Sequence, residues 1–117
     1  MQSIITQIGP KAFSEEAILI FFDETATELL KEYTIIQEFQ DEDFLLLSKG
    51  DKIAFGKSLY TIEKVGSKVI DQLKEIGHVS FFFGEAPEED LINAITLKES
   101  KLPKLEVGTL VTYKAGE

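Results

Sequence analysis

His78 is the only histidine in the chain. Its imidazole, with an unperturbed pKa of about 6.5, is the side chain here suited to attack phosphorus near neutral pH. It stands in the run Leu73-Lys74-Glu75-Ile76-Gly77-His78-Val79, where helical spacing of apolar residues stops at a glycine and a strand pattern begins. Two readings follow. A histidine at a helix-to-strand corner can be exposed enough to act as a nucleophile. It can equally be a strand-initiating residue whose ring is half buried and hydrogen-bonded.

Other runs carry less chemistry. Asp41-Glu42-Asp43 lacks the alternating oxygen ligands and distant bidentate carboxylate of a calcium loop, so it reads as a solvated turn. Ser48-Lys49-Gly50-Asp51-Lys52 and Gly56-Lys57-Ser58 lack the G-x-x-x-x-G-K-[ST] spacing that curls backbone amides around a phosphate. Both read as turns. Phe81-Phe82-Phe83 reads as a core strand with one ring turned outward. No metal-ligand or cofactor motif is present.

The elements that must position these residues are short. Ser3–Ile8 is a strand ended by Gly9-Pro10, and Ala17–Phe22 a second, buried strand. Thr25-Ala26-Thr27-Glu28 has the form of a capping box and opens a helix over Thr25–Glu32, with Leu29, Leu30 and Tyr33 on one face. Tyr33–Phe39 and Phe44–Ser48 read as strands flanking the acidic turn, and Ile53–Phe55 and Leu59–Val65 as a hairpin about Gly56-Lys57. Ser67 is the expected N-cap of a helix over Ser67–Ile76, with Val69, Ile70, Leu73 and Ile76 apolar and Gly77 the left-handed stop. Strands over His78–Phe83, Ala94–Lys98 and Gly108–Tyr113 follow, with an acidic loop or helical turn at Glu85–Asp90 and a loop at Pro103. Many short strands with two short helices predict an all-β fold of six or more strands, a small closed or partly open antiparallel β-barrel.

With 117 residues, 44% of them hydrophobic and nine of them Phe, the chain is long enough for one domain, 1–117, with a real core. The absence of cysteine removes disulfides, thiolate metal sites and thiol catalysis. No signal peptide or membrane-length apolar run is evident, so the expectation is a soluble cytoplasmic protein without direct membrane insertion. A net charge of −9 disfavours nucleic acid and anionic lipid. All twelve basic residues are lysine, so no bidentate arginine fork is available to grip phosphate.

The unit Val65-Gly66-Ser67, Leu73 and Gly77-His78-Val79 resembles the glucitol/sorbitol-specific enzyme IIA component of the bacterial phosphotransferase system. Ile5-Thr6-Gln7-Ile8-Gly9, Leu29 to Tyr33, Phe55-Gly56 with Tyr60, and Gly108-Thr109-Leu110 with Tyr113 extend the likeness through most of the chain. The resemblance implies a closed, mostly antiparallel barrel and a role in phosphoenolpyruvate-dependent sugar uptake. It implies as partners the phosphocarrier protein HPr, which donates the phosphoryl group, and IIB and IIC components. In the family the phosphorylated histidine lies in a His-x-His element after the strand corresponding to Tyr33–Ile36. That place falls on Gln37 or Phe39. An amide nitrogen has a delocalised lone pair and a phenyl ring has none, so neither can carry a phosphoryl group.

Three readings are open: a IIA component in which His78 carries the phosphoryl group, a IIA-like binding or regulatory module that has lost transfer, and a structural domain unrelated to sugar transport. A relay through His78 needs donors for the phosphoryl oxygens, for which Lys64, Lys68 or the amides after Ser67 are candidates. These stand at the opposite end of a helix, roughly 15 Å away at 1.5 Å per residue. The expectation is therefore a structural His78 and slow or absent phosphotransfer.

Overall fold

Residues buried and outward alternate along β2 (Ile18–Phe22), β4 (Lys52–Phe55) and β6 (Val79–Phe83), which is the pattern of strands with one face on a core. The computed structural model describes residues 1–13, 17–42, 44, 46–84 and 91–115. Among these the remaining strands are β1 (Gln2–Ile8), β3 (Ile35–Phe39), β5 (Ser58–Val65), β7 (Ala94–Leu97) and β8 (Leu110–Ala115), with helices α1 (Glu28–Tyr33) and α2 (Val69–Ile76). The eight strands close into a barrel in the order β1-β3-β2-β6-β7-β5-β4-β8. Closure leaves no free edge to recruit another strand.

Most ladders are antiparallel, but β2 pairs with β3, and β6 with β7, in parallel. This is the closed, mostly antiparallel barrel that the sequence predicts. The parallel pairing of β2 with β3 arises because α1 carries the chain across between them, a connection that returns the second strand in the same direction.

The barrel interior is aromatic. Phe55 and Phe81 meet edge to face at 5.1 Å, Phe21 and Phe81 at 5.3 Å, and Tyr60 and Phe83 at 5.3 Å. Such T-shaped pairs add to the stabilisation from burial alone. Phe81 and Phe83 are buried and Phe82 faces outward, as the sequence predicts.

Several local expectations are corrected. The cap of α1 is Thr27, whose Oγ1 accepts from Leu30 N at 3.2 Å, and the helix starts at Glu28 rather than Thr25. Thr25 is instead folded onto Asp23, whose Oδ1 accepts from Thr25 N at 2.9 Å. In α2 the N-cap is Lys68, with no side-chain cap bond, so Ser67 does not cap. The amide of Lys68 finds Ile92 O at 2.7 Å instead. Phe44 and Leu46–Ser48 form no strand, because both neighbours of β3 and β4 are already taken. Asp43 and Leu45, and the expected acidic loop at Glu85–Asp90, lie outside the described residues.

Candidate functional site

Gly77 sets the corner that presents His78. Its φ of 62° is left-handed, and its amide bonds Gln72 O and Leu73 O, closing α2. A Cβ at this position would lie 2.7 Å from Asp23 Cβ and 2.9 Å from Asp23 N, so only glycine lets the corner pack on the chain after β2. His78 follows at once, its own amide bonding Gln72 O at 3.2 Å.

The ring of His78 is buried and both nitrogens are engaged. Nδ1 lies 3.1 Å from Phe21 O, and Nε2 lies 2.9 Å from Asn93 Nδ2. A carbonyl can only accept, so Nδ1 carries the proton and donates to Phe21 O. The lone pair is then on Nε2, where the Asn93 amide donates to it. Phe22 stacks on the ring at 4.3 Å, with 20° between planes. Burial lowers the His78 pKa below its usual value, and the Phe21 carbonyl opposes this by favouring the protonated ring. The imidazole is thus neutral at physiological pH, in the tautomer a nucleophile at Nε2 requires, but with Nε2 occupied.

Gln37 and Phe39, two residues apart on β3, lie on the same face of the strand, and both reach Tyr113. Either placement of the family's carrier histidine therefore falls against one tyrosine. Gln37 has no exposed surface. Its Oε1 accepts from Ser3 Oγ at 2.6 Å and Tyr113 OH at 2.7 Å, while its Nε2 donates to Gly77 O at 2.9 Å. Burial pushes the Tyr113 phenol far above its usual pKa, with the bonds to Gln37 and Ser3 acting in the opposite direction. Phe39 packs on Tyr113 at 5.6 Å and on Phe44 at 4.9 Å. Gly77 O thus links Gln37 to the corner that holds His78.

Gln37 and Phe39 help line a cleft of about 280 Å³, with Asp23, Glu24, Glu38, Asp41 and Glu42 around it and Lys74 as its basic residue. Among the described residues five carboxylates against one ammonium make this a poor seat for a phosphoryl anion. Asp41 accepts from Gln2 N at 3.3 Å through Oδ2, and its Oδ1 is buried without a hydrogen-bond partner among the described residues. Among those residues no group of three or more His, Asp or Glu is placed to hold a metal ion, and no helix is long and apolar enough to cross a membrane.

The other candidates stand elsewhere. At Ser48–Asp51 the carboxylate of Asp51 accepts from Ser48 N at 2.8 Å, so the turn's own side chain takes an amide a phosphate would need. Gly56-Lys57 is the hairpin turn between β4 and β5. Lys68 is at the far end of α2 from His78, and Lys64 is in β5 against Thr96 of β7. The structure brings a neutral amide, Asn93, to Nε2 rather than a lysine. Sequence reasoning missed Asn93, Phe22, Ser3 and the tie from Tyr113. These residues are distant along the chain from those they touch, and no local spacing marks them.

Comparison with known proteins gives consistent matches. Residues 1–112 match the family described as the PTS system glucitol/sorbitol-specific IIA component. The chain is similar to the "PTS system glucitol/sorbitol-specific EIIA component" of Escherichia coli (strain K12), 36% identical over 116 residues, covering 97% of this chain and 94% of the relative. It is similar to the protein of the same description from Shigella flexneri, again 36% identical over 116 residues, with the same coverage. Among solved structures it resembles the crystal structure of a PTS system IIA component from Enterococcus faecalis V583. There the TM-score is 0.91 and the identity 37%, covering 98% of this chain and 100% of that one.

Proposed function

This chain belongs to the family of glucitol/sorbitol-specific IIA components of the phosphotransferase system, and we propose that it takes the IIA place in phosphoenolpyruvate-dependent sugar uptake, in the cytoplasm, meeting HPr and a IIB component in turn. The observation that carries this reading is the match over nearly the whole chain, in sequence and in barrel.

A IIA component relays a phosphoryl group from HPr to IIB. On this chain the one possible acceptor is Nε2 of His78. Transfer there would form an N–P bond to Nε2 as the N–P bond in phosphorylated HPr breaks, and a second displacement, in which a nucleophile of IIB bonds phosphorus as the Nε2–P bond breaks, would regenerate the neutral ring. Nδ1–H, held by Phe21 O, would keep its proton throughout. Before attack the Asn93 amide must leave Nε2, and the ring must come out from beside Phe22. Each requirement raises the barrier, so phosphoryl carriage here is slow.

One observation favours a second reading for the chemical step, a IIA-like binding or regulatory module that docks without carrying. Gln37, one of the two residues on which the carrier place falls, has both ends of its amide satisfied in the core, and Phe39, the other, has no nucleophilic atom. Docking is common to both readings, and they part only on movement of the phosphoryl group.

The test is a sugar phosphorylation assay reconstituted from enzyme I, HPr, membranes bearing IIB and IIC components, and a histidine-bearing IIA relative. Added in excess, the chain should compete for HPr or IIB and slow the reaction. A rate unmoved by a large excess would sink the IIA role.

A further inference from the structure

We propose that the groove between the tip of β5 and the loop over residues 99–104 binds an extended acidic peptide segment of a protein partner, its backbone on Leu59 and its carboxylates toward Lys101 and Lys104. The inference goes beyond the IIA reading and uses another wall of the molecule. Round the barrel β5 stands four places from β3 in either direction, opposite the cleft over Gln37.

The backbone supplies the first observation. β5 runs from Ser58 to Val65, but β7 closes the barrel on it only from Ile62, which pairs with Leu97. Successive residues of an antiparallel strand turn their N–H and C=O to alternate sides. Thr61 faces the β7 side, where its carbonyl accepts from Lys98 N at 2.9 Å and its N–H donates to Glu99 Oε1 at 2.8 Å. Leu59, two residues earlier, turns its N–H and C=O the same way, past the end of β7, with no strand opposite it among the described residues. A groove of about 410 Å³ lies there, with the 99–104 loop as its far wall. The hydroxyl of Tyr60 donates to Lys101 O at 2.7 Å, which holds that wall in place. An extended peptide brings the N–H and C=O that complement those of Leu59.

Side chains select the occupant. Leu59 is 53% exposed beside the groove, and Leu102 and Pro103 line it. Grouped apolar residues at a surface mark contact sites. Lys101 and Lys104 line the same groove and are exposed, and Lys57 is exposed on the turn next to Ser58. Among the described residues Lys31, Lys49, Lys98 and Lys114 each approach a carboxylate, whereas Lys57, Lys101 and Lys104 form no ion pair. Glu99, the acidic residue of the lining, is already engaged by Thr61. A basic seat on a chain of net charge −9 is complemented by carboxylates flanking an aliphatic side chain.

The probe is a capped hexapeptide of alternating glutamate and leucine. It is titrated by NMR into the isotopically labelled chain, for the wild type, for Leu59→Ser and for the double variant Lys101→Glu with Lys104→Glu. All three positions are exposed, and unchanged circular dichroism confirms that the variants fold. Shifts at the amides of Leu59, Lys101 and Lys104 are expected in the wild type. Binding should weaken about tenfold in Leu59→Ser, as for an apolar hot spot. It should weaken at least as much in the double variant, and in high salt through screening. The same peptide N-methylated at alternate amides, unable to donate to Leu59 O, should bind several-fold more weakly. No shift at millimolar peptide, or equal binding by wild type and variants, overturns the proposal and leaves the IIA place standing. The same shifts with inorganic phosphate alone would assign a small-anion site. Self-association lost in the double variant, without peptide binding, would assign the groove to a second copy. Either result overturns the proposal as well.

Discussion

The hydroxyl of Tyr113, near the end of the chain, donates to Oε1 of Gln37 at 2.7 Å inside the barrel. Ser3, near the other terminus, donates to the same oxygen at 2.6 Å, so one amide fastens β1, β3 and β8 together. Its nitrogen end reaches Gly77 O, beyond α2. One of the two positions, Gln37 and Phe39, on which the resemblance would place a nucleophile is here a structural clamp. A primary amide suits it because it offers an acceptor to two hydroxyls and a donor to a carbonyl at once.

Replacing Gln37 by Leu should therefore destabilise the fold by on the order of 3 kcal/mol, since two buried hydroxyls and a carbonyl lose their partner. Tyr113→Phe, which removes one donor together with its hydroxyl, should cost about 1 kcal/mol. Urea denaturation midpoints check both. Equal midpoints for wild type and Gln37→Leu would show that the clamp does not hold the barrel.

Gly77→Ala should cost about 1 kcal/mol for the left-handed backbone alone. The collision with Asp23 adds to this, because the new Cβ meets backbone as well as side chain. The same denaturation series measures it, and a midpoint within error of wild type would contradict the close packing of this corner.

Local chemistry was legible in the sequence where one short segment decides it. The stop at Gly77, the hairpin at Gly56-Lys57 and the alternation in Phe81-Phe82-Phe83 depend on adjacent residues and stand as expected. The cap of α1 moved from Thr25 to Thr27 because Asp23 captures Thr25 first, a competition that two similar threonines conceal. Phe44–Ser48 has strand composition but no strand to pair with, since ladder closure is a property of the whole barrel. The same holds at the site. His78 is legible as a lone imidazole, and the partners of its ring nitrogens, Phe21 O and Asn93, come from β2 and from the loop before β7.

Acidification should expose the neutral state of His78. Its folded pKa lies below the unfolded value of about 6.5, so the unfolded chain binds the proton first. The stability this contributes is complete above pH about 6.5 and is lost as pH falls through the folded pKa. Comparing wild type with His78→Gln isolates the imidazole. The wild type should lose more stability on moving just below pH 6.5, and parallel pH profiles would contradict the buried neutral ring.

Asn93 should govern access to Nε2. Diethyl pyrocarbonate acylates an imidazole nitrogen through its lone pair, which in this ring is on Nε2. Slow modification of the wild type and several-fold faster modification of Asn93→Ala are expected, followed by mass spectrometry of the single-histidine chain. Equal rates would mean that the amide does not mask the nitrogen.

The central claim is that this barrel keeps a IIA place while its own phosphoryl chemistry is stalled at both Gln37 and His78. The most direct measurement incubates the chain with enzyme I, HPr and labelled phosphoenolpyruvate, sampling over the time in which HPr becomes fully labelled. The account predicts label on HPr and none above background on the chain. Stoichiometric acid-labile label on the wild type that disappears in His78→Gln would contradict it and assign His78 the carrier role.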